Sequence, residues 1–150
     1  MTPDSLQIML VEDNQDDFEA TIRSLKKNNC HNSVKWCRSG QDAMEYLQKA
    51  GKYANDSTAK RPNLILLDLN MPGLDGRQIL SRIKSDAELK SIPVVVLTTS
   101  ADTRDVDHCY SMGASTYIQK PVSFEGLIEA FRRMKDYWCG IAILPSSGQE

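Results

Sequence analysis

Acidic residues close two short apolar runs in this chain. Asn63-Leu64-Ile65-Leu66-Leu67 leads directly into Asp68, and Gln7-Ile8-Met9-Leu10-Val11 leads into Glu12 and Asp13. The run before Asp68 lies between Pro62 and Pro72-Gly73, too short for a buried helix, and reads as a strand covered on both faces. A carboxylate directly after such a strand sits at the carboxyl edge of a parallel sheet, where open α/β sheets bind ligands. Equally, Asp68 could do no more than open a turn. Two further runs end in polar groups: Val94-Val95-Val96-Leu97 in Thr98, and Thr116-Tyr117-Ile118 just before Lys120. Three carboxylates gathered at one edge repel one another, each pair at ~5 Å and an effective dielectric of ~20 costing on the order of 3 kcal/mol. A divalent cation removes that cost, and all-oxygen ligands that leave water on the ion suit Mg²⁺ rather than zinc. A carboxylate held against such an ion and a lysine ammonium is a phosphoryl acceptor, because the cations neutralise the transferring group while the aspartate attacks in line. The Thr98 hydroxyl can bond a phosphoryl oxygen. Taken singly, Thr98 and Lys120 are ordinary strand-end residues; their convergence with the carboxylates makes the site.

The elements that must position these groups follow from periodicity. After Asp13, Phe18, Ile22 and Leu25 recur at helical spacing, with Asp13 or Asn14 as N-cap and Asn28-Asn29 as the stop. Val34 to Arg38 predicts a strand, and Ala43, Leu47 and Ala50 share a helix face. Gly51 to Pro62 is polar and aperiodic, an exposed loop. Ile79, Leu80 and Ile83 mark the next helix, and Val94 to Thr98 is the most β-prone run. A helix starting at Asp102-Thr103 turns Val106, Cys109 and Tyr110 inward and breaks at Gly113. Ser123 caps a last helix whose stripe runs through Leu127, Phe131, Met134, Trp138 and Ile141. Five strand–helix units predict an α/β fold, a doubly wound five-stranded parallel sheet between two helical layers, joined by right-handed crossovers.

At 150 residues the chain is expected to be one domain with a core of its own. A hydrophobic fraction of 41%, a charged fraction of 25% and a net charge of -2 exclude a general nucleic-acid or anionic-membrane binder, since no basic stripe or polybasic run is present. The residues Met1 to Ser5 lack the pattern of a secretion signal, and no run is long enough to span a bilayer, so a cytoplasmic location is expected. Cys30, Cys37, Cys109 and Cys139 show no paired short spacing, and the histidines are His31 and His108. Reduced, mostly buried thiols are expected rather than a zinc site.

The ordered set Glu12-Asp13, Asp68 before Met71-Pro72-Gly73, Thr98, and Tyr117 three residues before Lys120-Pro121 closely resembles the receiver domain of two-component response regulators. The likeness covers about residues 7 to 138. It implies a flavodoxin-like three-layer sandwich of strand order 2-1-3-4-5, the order by which this topology is commonly illustrated. It also implies that Asp68 accepts a phosphoryl group from a sensor histidine kinase. Asp13 and Asp68 then ligate Mg²⁺ directly, Asn70 does so through its backbone carbonyl, and Glu12 through water. Lys120 and Thr98 contact the phosphoryl group, Thr98 and Tyr117 form the switch, and the Lys120-Pro121 bond is expected to be cis, as in the family. A finer resemblance is to single-domain regulators that partner bacterial phytochromes. It rests on the loop from Gly51 to Asn63, on Ile92 to Ser100, and on the tail from Tyr137-Trp138 to Leu144-Pro145.

Other classes compete. A haloacid-dehalogenase-like phosphatase needs a second acid two positions after its nucleophile, and this chain has Asn70 there. A phosphorylation-independent adaptor would not need Asp13, Asp68, Thr98 and Lys120. Only Ser146 to Glu150 follow Pro145, so signalling is expected through contact with a downstream protein target. The tail, residues 139 to 150, is expected to form a homodimer interface. Met134, Trp138, Ile141, Ile143 and Leu144 would pack on the same tail of a second copy or on its fourth-helix face near Val106 and Tyr110, the alternative being a tail folded back over its own domain.

Overall fold

The computed structural model describes residues 6–28, 33–69 and 76–145. Ten elements alternate along the chain: β1 (Gln7–Val11), α1 (Gln15–Lys27), β2 (Ser33–Cys37), α2 (Gly40–Gln48), β3 (Leu64–Asp68), α3 (Gly76–Ser85), β4 (Val94–Thr98), α4 (Thr103–Ser111), β5 (Thr116–Gln119) and α5 (Phe124–Lys135). The strands form one sheet in the order β2-β1-β3-β4-β5, all neighbours parallel. This is the doubly wound sheet that the alternation predicts.

The central strands β3 and β4 are buried at every position because helices cover both faces. Successive side chains point to opposite sides. Met9, Val11, Ile65, Leu67, Val94 and Val96 therefore pack under α2, α3 and α4, against Leu47, Ile79, Leu80 and Cys109. Ile8, Leu10, Leu64, Leu66, Val95 and Leu97 pack under α1 and α5, against Leu25 and Phe131. Local capping sets where the helices start. Asn14, Ser39, Asp102 and Ser123 accept backbone N–H groups of Asp17, Asp42, Arg104 and Gly126 in turn. Asn14 takes the cap of α1, which leaves the Asp13 carboxylate to the edge of the sheet.

Four sequence expectations change. The helix α2 stops at Gln48 with Lys49 left-handed, so Ala50 lies beyond it and is exposed, while Met44 joins the core instead. The loop before β3 is not simply exposed: Gly51–Tyr53 makes one 3-10 turn, and Tyr53 and Ala59 are buried. The Tyr53 hydroxyl donates to Asp42 Oδ1 at 2.7 Å, and the Tyr46 hydroxyl donates to the Lys60 carbonyl at 2.8 Å, two aromatic hooks that a polar composition conceals. Tyr110 is 47% exposed rather than inward, because its hydroxyl reaches along the surface to accept the Tyr117 N–H at 3.1 Å. Finally, α5 passes at Asp136–Ile141 into a π-helical segment. The wider turn rotates the chain off its i, i+4 register, so Met134 and Trp138 lie against the core while Ile141 is 73% exposed.

Both described thiols with free sulfurs, Cys37 and Cys109, are buried, as expected. Cys30 lies outside the described residues. Among the described residues, no helix is long and apolar enough to cross a membrane.

Candidate functional site

The carboxyl ends of β1, β3, β4 and β5 open on the same edge of the sheet, and the polar residues that follow them meet there. Asp68 closes β3 and Thr98 closes β4, both buried. Glu12 and Asp13 follow β1, and Lys120 follows β5, held in register by its N–H on the Thr98 carbonyl at 2.7 Å. Carboxylate oxygens of Glu12, Asp13 and Asp68 lie within 4.8 Å of one another. The Lys120 ammonium stands beside this group, 2.8 Å from Glu12 Oε1, 3.5 Å from Asp17 Oδ2 and 3.8 Å from Asp68 Oδ2.

The electrostatics follow from burial. Glu12 is 2% exposed, and its Oε2 is buried without a hydrogen-bond partner. Two ionised carboxylates offer each other no hydrogen, so Glu12 and Asp68 can bond only when a proton sits between them. Burial first, and then that bond to Asp68, push the Glu12 carboxyl up to about 8, against the opposing pull of Lys120. Burial alone would lower the Lys120 ammonium; the bond to Glu12 and the charges of Asp68, Glu12 and Asp17 outweigh it and leave it raised. The cluster therefore has more negative charge than one lysine neutralises, and a buried acceptor oxygen awaiting an electropositive partner. Both features fit a hard divalent cation with oxygen ligands.

Behind Asp68, Thr98 is fully buried and its hydroxyl oxygen accepts the Ser100 N–H at 3.2 Å. Tyr117 is half-buried on β5 and donates its hydroxyl to the Ser100 carbonyl at 2.9 Å. The two residues expected to form a switch thus grip the same short loop. Asn70, Met71, Pro72 and Gly73 lie outside the described residues, so the expected backbone ligand at Asn70 does too. The Lys120–Pro121 bond is trans, not cis as expected; with the Lys120 N–H fixed on Thr98, the long side chain reaches the carboxylates from a trans bond.

Sequence reasoning missed two groups. Arg77 pairs with Asp105 at 3.0 Å, and Asp105 also accepts the Ser100 hydroxyl at 3.1 Å, so α3 and α4 both hold the loop after Thr98. Their i-to-j separation carries no local signal. Gly76 is the second. A Cβ there would lie 2.5 Å from the Asp68 carbonyl oxygen and 2.6 Å from Leu69 Cα, so only glycine lets α3 start directly behind Asp68. Gly76→Ala is expected to cost about 1–3 kcal/mol in urea unfolding and to weaken cation binding at Asp68. Unchanged stability would mean that the Asp68 backbone has slack.

Comparison with known proteins adds the following. The profile of the response regulator receiver domain matches residues 8–132. Response regulator Rcp1 of Synechocystis sp. is 39% identical over 140 residues, spanning 93% of either chain. The crystal structure of the phosphorylated cyanobacterial phytochrome response regulator RcpA is 42% identical, superposes with a TM-score of 0.87, and covers 95% of this chain and 99% of its own. The Mn²⁺-bound form of Rcp1 gives 38% identity and a TM-score of 0.86, covering 94% of this chain and 99% of that one.

Proposed function

We propose, from the premise that this chain belongs to the response regulator receiver family, that it takes a phosphoryl group from a sensor histidine kinase onto Asp68. It is a receiver-type regulator related to phytochrome response regulators, not a member of a classical enzyme family, and its only catalysis is of its own phosphorylation and dephosphorylation. The observation that carries the reading is the Asp68 carboxylate set between two further carboxylates and the Lys120 ammonium. An Asp68 oxygen forms the new O–P bond as the P–N bond of a phosphohistidine breaks, and the departing imidazole keeps the electron pair and takes up a proton. Lys120 balances charge as it gathers on the phosphoryl oxygens, and the Thr98 hydroxyl bonds one of them. Asp13 and Asp68, with Glu12 through water and the Asn70 carbonyl, would hold Mg²⁺, which supplies Lewis-acid neutralisation of the transferring group. Similarity to the cyanobacterial phytochrome response regulator RcpA and to a bacteriophytochrome response regulator supports a bacteriophytochrome as the cognate kinase, and the reading puts this exchange in the cytoplasm. The phosphatase alternative is not favoured, since position 70 offers an amide where it needs an acid.

Incubation with a radiolabelled, autophosphorylated bacteriophytochrome kinase is expected to transfer label in Mg²⁺ and not in EDTA, as a hydroxylamine-labile acyl phosphate. Absence of transfer in Mg²⁺ would overturn the reading.

Phosphorylation adds about -1.5 to -2 charges and three acceptor oxygens. Drawing the Thr98 hydroxyl to them removes the acceptor of the Ser100 N–H, and the loop that Tyr117 grips through Ser100 rearranges. The Tyr117 ring is expected to show a new NMR environment with a beryllofluoride mimic. An identical spectrum with and without the mimic would mean that the switch is uncoupled here.

The signal then passes by protein contact, and the tail supports homodimerisation. Tyr137, Ile141 and Ile143 are 51%, 73% and 98% exposed, and Tyr110 stands open on α4. Met134 and Trp138, half-buried on their own domain, would form the inner rim, with Val106 and Leu144 flanking it. Sedimentation of the full chain at tens of micromolar is expected to give a dimer, and a chain truncated after Lys135 a monomer. Two monomers would remove this role from the tail.

A further inference from the structure

The Glu12 peptide is held from its neighbour strand at both ends. Its N–H donates to the Cys37 carbonyl at 3.0 Å, continuing the β1–β2 ladder by one residue. Its carbonyl, which belongs to the Glu12–Asp13 peptide plane, accepts the indole N–H of Trp36 at 2.7 Å. The second bond is not part of any ladder. It comes from a side chain on the edge strand β2, and the side chain is itself immobilised. The Trp36 ring lies flat on the Phe18 ring of α1, with centroids 3.8 Å apart and planes 6° from parallel. The Arg38 guanidinium sits over it at 4.5 Å. An indole with its plane fixed by stacking and its one donor spent on a carbonyl sets the orientation of that peptide.

From this the geometry points to Trp36 as the positioning residue of the divalent-cation site, fixing the Glu12–Asp13 peptide so that both carboxylates face Asp68. The inference rests on the cation reading of the site given above. Rotation of that peptide plane would swing Asp13, half-exposed and not the cap of its helix, away from the cluster. Glu12 has a second anchor in Lys120, whereas Asp13 makes no ion pair among the described residues, so the peptide plane carries the positioning. Groups that orient metal ligands from outside the coordination sphere affect affinity strongly, typically 10–100-fold on removal.

Calorimetric titration with Mg²⁺ alone tests this on three full-length proteins. Trp36→Phe keeps a ring on Phe18 and loses the donor; its dissociation constant is expected to rise about tenfold. Leu25→Val loosens the packing of α1 on the same face of the sheet but keeps the donor and its stack on Phe18, and is expected to stay within about twofold of the unaltered protein, a change below ~0.5 kcal/mol. Should Trp36→Phe not fold, the sulfur isostere of tryptophan, which keeps the bicyclic ring and lacks the N–H, replaces it in a Trp138→Phe background and is expected to weaken Mg²⁺ equally. Equal affinity of the donor-less protein and the unaltered one overturns the proposal. So does an equal loss in Leu25→Val, which would make the effect one of general packing. If the unaltered protein itself binds no Mg²⁺, the cation reading of the site fails instead, and the role of Trp36 falls with it.

Discussion

Asp68→Asn is expected to take up no phosphoryl group from a labelled kinase or from a small acyl phosphate, while remaining folded. The substitution is nearly isosteric in a strand whose five residues are all buried, so the packing of β3 against β1 and β4 survives. What disappears is the nucleophile: an amide oxygen or nitrogen cannot form the acyl phosphate at a useful rate. Folding stability should change little or rise, because one of three mutually repelling carboxylates becomes neutral while Lys120 keeps Glu12 as its nearest partner at 2.8 Å. Filter binding or gel autoradiography reads the label, and urea unfolding reads the fold. Undiminished labelling in Asp68→Asn would remove Asp68 from the acceptor role and transfer attention to Asp13 or Glu12.

The second large effect changes sign with the metal. Asp13→Ala removes a half-exposed carboxylate from the cluster, and in EDTA it is expected to be as stable as the unaltered protein or more stable by about 1 kcal/mol, since a share of the repulsion is relieved. With Mg²⁺ at a hundred times its dissociation constant, binding to the native state alone stabilises the unaltered protein by about 2.7 kcal/mol. For a domain of this size that is a rise of about 5–10 °C in melting temperature. Asp13→Ala, lacking a direct ligand, should lose most of it, so the two melting curves are expected to exchange order between EDTA and Mg²⁺. Parallel shifts in both proteins would show that Asp13 is not a ligand.

Much of the scaffold was legible because it is written locally. Strand runs such as Leu64–Asp68 and Val94–Thr98 are short apolar segments, and the starts of α1, α2, α4 and α5 show a polar cap whose bond spans three residues or fewer. The exceptions have physical reasons. Ala50 continues the spacing of Ala43 and Leu47, but Lys49 turns left-handed and stops α2 before it. Ile141 continues the stripe of α5, but the chain widens into a π-helical turn and carries it into solvent. Periodicity extrapolates a regular helix and contains nothing about where regularity ends.

The sequence by itself determined which groups stand at the strand ends: the acids Glu12, Asp13 and Asp68, the hydroxyl of Thr98 and the amine of Lys120. Their order along alternating strands and helices was enough to bring them to one edge of a parallel sheet. Tertiary structure alone decided what each one touches. Lys120 meets Glu12 across 108 residues of sequence at 2.8 Å, closer than it comes to Asp68. Gly76 proved to be the clearance behind Asp68, Trp36 the donor to the Glu12 peptide, and Arg77 with Asp105 the grip on the loop after Thr98. These contacts cross from one element to another, and their partners are chosen by the register of strands and the rotation of helices in the packed core. Hydrophobic burial sets that arrangement for the whole domain at once, so no window of the chain holds the information for any one of them.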